Sequence, residues 1–353
     1  MRMCAVTTSF VTRHIVAVAT LIAVLCSAAG CTPAAPVQTP GGSSSSVATP
    51  TTSPPTPRAT RLAHVGYTPV ETGEPIDIAS LTGRILFDNF EDIYAMDPDG
   101  SDVVTVAGAP GPEFDGAWSP DGKWVVYRDS RRGPNNDDEI YIAAADGSSR
   151  RNLTRNPEND WGPDWSHDGS TIAFNSTRDG AMRGYLVNPD GSDLRRIESN
   201  AWIEYPSFSP DDSKLAFMGA VGSDYSIFTI DLATDKVTKL TDDPGEEGWP
   251  AWSPDGSTIA YSTQRDDCRF TPGQQACWRT GDVGPYSDIW LVDADGSNPR
   301  RVTSEFGQFV AWSPDSEYLL ISGSALYVVR TDGTGRVELH TGGVSGAGIP
   351  DWR

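Results

Sequence analysis

The chain writes one short sentence over and over. "PAWSPDGSTIAYST" at Pro250 to Thr263 returns as "GAWSPDGKWVVYRDS", "PDWSHDGSTIAFNST", "PSFSPDDSKLAFMGA" and "VAWSPDSEYLLISGS". The aromatic ahead of each turn is Trp118, Trp165, Phe208, Trp252 or Trp312, and Trp352 continues the series, at spacings of 47, 43, 44, 60 and 40 residues. A period near 43 with one insertion means that each copy is a supersecondary unit that buries its faces against its neighbours.

Within a unit a turn such as "SPDG" is followed by an alternating strand such as "STIAYST". A second strand and a short third one, such as "RRVT", come next. The second strand recurs six times, as "DIYAMDPDG", "EIYIAAADG", "GYLVNPDG", "SIFTIDLATD", "DIWLVDADG" and "ALYVVRTDG". Side chains alternate across a strand, so Ile289 and Leu291 are expected to face one neighbouring sheet and Trp290 and Val292 the other. Four short strands per unit at this period predict an all-β fold, a β-propeller of six four-stranded blades.

The two ends predict how the ring closes. The chain stops at "GIPDWR", the opening of a repeat, and the repeats begin at "GRILFDNFEDIYAMDPDGSDVVTV", the later strands of one. Pairing the fragments makes the sixth blade and removes two open sheet edges. "AWSPDG" followed by "IAF" or "IAY", then "IY" and "ADG", resembles the TolB-type propeller repeat over about residues 83 to 353. The resemblance implies a periplasmic propeller that binds a peptidoglycan-associated lipoprotein in the Tol envelope system. Residues 62 to 82 are too short for the N-terminal α/β domain of that family.

The repeated residues themselves read as scaffold. Asp and Gly after Pro make a tight turn, the aromatic fills space between blades, and Ser bonds locally across the bend.

Residues 1 to 30 read as an export signal, with Arg2, Arg13 and His14 ahead of the fifteen-residue apolar run "IVAVATLIAVLCSAA". That run is short for a bilayer span of roughly 20 residues. "AAGC" resembles a bacterial lipobox, which implies cleavage before Cys31 and lipid on its sulfur. Residues 31 to 61, rich in Pro, Ser and Thr, read as a tether that permits glycosylation, and 62 to 353 as the propeller. A lipid-anchored protein of the bacterial cell envelope is expected.

The formal charge of -21 becomes -23 once the signal, with two arginines and no acid, is removed. The like charge argues against nonspecific binding to nucleic acid or to an anionic membrane surface. Membrane contact is then through the lipid alone, and the chain is expected to be a monomer. Cys268 and Cys277 remain as one pair in an oxidising compartment, where a local disulfide is the natural reading.

Chemistry is sparse. The four histidines include no closely spaced pair, which argues against a histidine zinc site. "DPDGSD" at Asp97 to Asp102 and "NPDGSD" at Asn188 to Asp193 faintly resemble part of a Ca2+ loop, but lack the distal Glu and the loop length. They are expected to be hairpin turns, and no cofactor is expected. No GxSxG elbow occurs. The enzyme alternative is a metal-dependent hydrolase or lactonase using acids inside the channel. The arginine pairs Arg150 and Arg151, Arg195 and Arg196, and Arg300 and Arg301 fall by phase on outermost strands, where charge protects an edge.

The candidate ligand-binding face is the channel mouth reached by the loops that lead into each inner strand. Phe114 and Asp115, Asp160 and Trp161, Trp202, Glu204 and Tyr205, Glu247 and Trp249, and Phe309 recur there as aromatics beside acids. Exposed, they would suit a peptide, a basic protein segment or a glycan. The insertion between Gln264 and Asp288 is expected at the same mouth, with Arg269 and Trp278 as contacts and the disulfide limiting its freedom. The expected function is a protein- or peptide-binding module of the envelope, not an enzyme, with a cell-wall glycan as the other ligand class.

Overall fold

The computed structural model describes residues 73–108, 111–130, 137–221, 224–242, 246–263, 287–303, 307–323, 325–344 and 348–353. They build six four-stranded antiparallel sheets arranged as blades. Blade 1 holds β1 (Ile85–Asp88), β2 (Ile93–Met96) and β3 (Val104–Ala107). Blade 2 is β4 (Glu113–Trp118), β5 (Trp124–Asp129), β6 (Glu139–Ala144) and β7 (Arg150–Asn152). Blade 3 is β8 (Asp160–Trp165), β9 (Ile172–Ser176), β10 (Arg183–Val187) and β11 (Arg195–Arg196). Blade 4 is β12 (Glu204–Phe208), β13 (Lys214–Val221), β14 (Asp224–Asp231) and β15 (Lys236–Lys239). Blade 5 is β16 (Glu247–Trp252), β17 (Thr258–Thr263), β18 (Asp288–Asp293) and β19 (Arg300–Arg301), and blade 6 is β20 (Phe309–Trp312), β21 (Tyr318–Ser322), β22 (Leu326–Arg330) and β23 (Val337–Glu338).

The last strand, β24 (Asp351–Trp352), pairs antiparallel with β1, with Ile85 opposite Trp352 and Leu86 opposite Asp351. It becomes the inner strand of blade 1, so the ring closes between the two ends as the sequence predicts. Arg353 N donates to Arg84 O at 3.0 Å, and the Trp352 indole donates to Thr82 O at 2.9 Å. Just ahead of blade 1, Ile76 packs into the cluster between blades 1 and 6, and its amide donates to Gly335 O at 3.2 Å.

Each pair of neighbouring blades shares one apolar cluster. Ile289 and Leu291 pack with Val310, Trp312, Leu319 and Ile321 of blade 6, whereas Val292, with Trp290 alongside, packs against Ala216, Ile227 and Trp252 on the blade 4 side. That two-sided burial follows from the alternation of a strand covered on both faces.

The repeated serine is a local brace. Ser119, Ser166, Ser209, Ser253 and Ser313 each donate through Oγ to the Asp two residues on, at 2.6 to 2.8 Å. Each also accepts the amide five residues on, at 2.9 to 3.0 Å. The "DPDGSD" and "NPDGSD" stretches are hairpin turns, with Asp97 N donating to Ser101 O and Asn188 N to Ser192 O at 2.9 Å.

Candidate binding site at the channel mouth

The inner strands run side by side around the channel, and all enter from one end. At that mouth four of them carry the same irregularity. Register shifts fall between Phe114 and Ala117, Trp161 and Asp164, Glu204 and Ser207, and Gly248 and Ala251. Asp115, Gly162, Tyr205 and Trp249, each three residues ahead of its blade's aromatic, take the left-handed conformation with φ of 55°, 60°, 47° and 49°. A bulge bends the strand and re-aims a side chain, and an aromatic residue at positive φ is a backbone outlier.

The bulges bring residues of different blades together. The Trp249 ring lies 5.9 Å from Tyr205 and 5.1 Å, edge-on, from Phe309, so blades 4, 5 and 6 share an aromatic wall. Across from it the wall is ionic. Arg128 Nε stands 3.1 Å from Asp115 Oδ2 and Nη1 3.8 Å from Asp138, with the guanidinium 4.5 Å above the Phe114 ring. Burial works against the Arg128 cation, yet Asp115 and its other charged neighbours raise its pKa.

Asp88 is buried beside this group. Its Oδ1 accepts the Phe90 amide at 3.1 Å, and Phe90 is held exposed at φ 67°. Burial, and then the nearby Asp115 charge, push the Asp88 pKa up to about 7. A Cβ on Gly348 would collide with the Asp88 carboxylate, so a larger residue there would have to push that side chain aside. Glu204, which accepts the Trp202 indole N–H at 2.8 Å, is likewise raised to about 7 by burial.

Deeper in the channel the inner strands are stitched together. Asp351 accepts the Trp118 amide at 2.7 Å, Asp164 accepts the Phe208 amide at 2.8 Å, and Ser207 accepts the Trp252 amide at 3.1 Å. Each bond runs from one blade to the next. Burial raises Asp164 to about 7.

The mouth residues sit at the starts of the inner strands, apart from Trp202 in the loop just ahead of β12, and they are largely covered. Phe114, Trp161 and Phe309 are buried, as are Asp115, Asp160, Glu204 and Glu247. Trp202, Tyr205 and Trp249 keep part of their surface. The acids expected to stand open are tied inside the fold. Asp160 meets Arg178 at 2.9 Å, Glu113 lies 3.4 Å from Arg150, and Glu247 accepts the Thr241 hydroxyl.

The arginine pairs do fall on the outermost strands β7, β11 and β19. Arg150 nevertheless turns inward, 4.3 Å above Tyr141, and pairs with Asp129, while Arg301 holds Asp288 at 2.7 Å. Two of the expected edge charges are therefore also packing and pairing groups. Cys31, Cys268, Cys277, Arg269 and Trp278 lie outside the described residues. The strands that flank the insertion, β17 and β18, do end at the mouth, since Thr263 pairs with both Glu247 and Asp288.

Sequence reasoning passed over Asp88, Arg128, Phe90 and Asn175, whose side-chain oxygen accepts the Tyr205 amide at 3.1 Å. One signal for the bulges was in view. Pro163, Pro206 and Pro250 follow the bulged residues, and proline inside a strand is confined to edges and bulges. Among the described residues no three His, Cys, Asp or Glu side chains are placed to hold a metal ion, and no helix is long and apolar enough to cross a membrane.

Fold and mouth together define a ring-closed six-bladed propeller with a half-aromatic, half-ionic channel entrance. A family model of the TolB beta propeller domain matches residues 85–204. An uncharacterised protein of Agrobacterium fabrum is 33% identical over 131 residues, which is 37% of this chain and 38% of its own length. A TolB homolog of Chlorobium luteolum is 42% identical over 57 residues, 16% of this chain and 13% of its own. The crystal structure of TolB from Acinetobacter baumannii superposes with a TM-score of 0.62 at 20% identity, covering 80% of this chain and 68% of that one. The chain spans less than half the length of the two curated relatives. The described residues form a TolB-like propeller.

Proposed function

We propose that the chain is a binding module of the bacterial cell envelope, anchored by lipid on Cys31, whose channel mouth receives a segment of a protein partner. The observation that carries this is the set of bulges at the mouth. They hold Tyr205 and Trp249 in a left-handed backbone, at a cost to stability, and present a part-exposed aromatic wall opposite Asp115 and Arg128. Partly exposed aromatics in a concave, polar-rimmed setting are typical anchors for a protein segment. The likeness to TolB supports an envelope setting, and the strong negative charge favours a cationic partner.

The test is positional. A photo-cross-linking phenylalanine analogue replaces Trp202 at the mouth or, in a second variant, Trp124, which is exposed where β5 starts at the opposite end. In intact cells a discrete protein adduct is expected from position 202 and not from 124. An adduct from 124 alone would move the binding face to the other end of the propeller. Trp249→Ala, in a variant shown to remain folded, is expected to weaken capture of that same partner at least tenfold.

A further inference from the structure

The aromatic ahead of the turn is tryptophan in blades 1, 2, 3, 5 and 6 and phenylalanine, Phe208, in blade 4. Trp312 of blade 6 donates its indole N–H to Ala251 O of blade 5 at 3.0 Å. Beside it, framed by Ser253, Asp255, Thr258, Arg300 and Ser316, is a space of about 180 Å³. The equivalent place between blades 3 and 4 is framed by Ser166, Asp168, Thr171, Arg195 and Asp212, and there the space is about 410 Å³. A phenyl ring lacks the second ring and the N–H of an indole, and so contributes less to closing the gap. The larger volume falls in the range of about 300–1,000 Å³ found for small-molecule sites.

The walls narrow the ligand chemistry. Half-buried Leu232 and the edges of the otherwise buried Leu186, Ile197 and Phe208 supply apolar surface, and Ser170 and Thr171 supply hydroxyls that lie 3.3 Å apart. The rim charges are mostly matched within the protein. Arg195 meets Asp193 at 2.8 Å, Arg196 meets Glu198 at 3.3 Å, and Asp212 accepts the amides of His167 and Asp168 at 2.7 and 2.9 Å. An anionic ligand would have to break one of those arginine pairings. A neutral ring that carries hydroxyls on its edge and C–H groups on its face can use the apolar wall, the hydroxyls and the exposed Asp235 without doing so.

We propose that the cleft between blades 3 and 4 is a binding site for a neutral pyranose sugar. It lies at the turn end of the blades, away from the channel mouth, and does not depend on the reading of the mouth as a binding face.

The probes are glucose and N-acetylglucosamine, titrated into the full chain and followed by saturation-transfer NMR, with glycerol as the small-polyol control. At least one sugar is expected to bind saturably and glycerol not at all. Phe208→Trp restores the residue used by the other five blades, and is expected to keep the melting temperature while lowering affinity at least tenfold. Ser170→Trp, which blocks the cleft from an exposed position, is expected to do the same and stands in should Phe208→Trp fail to fold. No saturable binding of either sugar overturns the proposal, as does binding that survives both substitutions or is matched by glycerol.

Discussion

At the residue scale, the buried carboxylates of the channel set a testable pH dependence. Asp88, with a folded pKa near 7, favours its neutral form in the fold, so its contribution to stability is complete below the unfolded value near 4. That contribution is lost as pH rises through 7. Asp88→Asn keeps an acceptor for the Phe90 amide and removes the charge. The variant is expected to be more stable than the parent at pH 8, by an amount on the order of 1–4 kcal/mol. Its urea midpoint should also vary less between pH 4 and 8, and a variant that loses stability at pH 8 would refute the assignment. The turn serines give a second test. Ser253 is buried, donates to Asp255 and accepts the Thr258 amide, so Ser253→Ala should cost about 1–3 kcal/mol in denaturant melts.

At the element scale, the inner strand is where local pattern and tertiary demand part company. A regular strand would place alternate residues toward the channel, but the bulge inserts one residue and turns Tyr205 and Trp249 toward each other. Gly162 occupies the same position in blade 3. A Cβ there would stand 2.8 Å from Asn175 Oδ1 and 3.0 Å from the Tyr205 ring, at a φ of 60°. Gly162→Ala is therefore expected to cost about 1–3 kcal/mol, whereas Gly122→Ala, with open space around its Cβ, should cost only its own positive-φ strain. Comparing the two melting temperatures separates crowding from backbone preference. The sequence showed this bulge only through its prolines. Their place ahead of the repeated aromatics put Phe114 and Trp161 at the mouth but not whether they are covered there, because the packing of the next blade is not a local property.

At the scale of the whole molecule, closure depends on β24. It contributes two residues to the ladder with β1, places Trp352 in the cluster between blades 1 and 6, and lets Asp351 hold the Trp118 amide of blade 2. Removing residues 349–353 would leave β1 as an open edge and strip one face of an apolar cluster. The truncated chain is expected to melt more than 10 °C lower, an estimate on the scale of several kcal/mol lost from one domain, and to associate on gel filtration. Removal of five residues from an ordinary exposed terminus would shift the melting temperature little. A truncated chain that melts with the parent would mean that the ring is held by blade packing alone.

The repeat by itself determined the blade count, the order of strands within a blade, the serine-braced turns and the closure of the ring. Those features rest on residues near one another in sequence, or on a phase counted from one copy to the next. What the mouth displays was decided by the tertiary structure. Asp88 meets Asp115 and Arg128, and Tyr205 meets Trp249 and Phe309, only because closure brings separate blades to one axis. The same closure buries the acids beside them and raises the pKa values of Asp88, Glu204 and Asp164. A carboxylate's surroundings are a property of three-dimensional packing, which no spacing along the chain records.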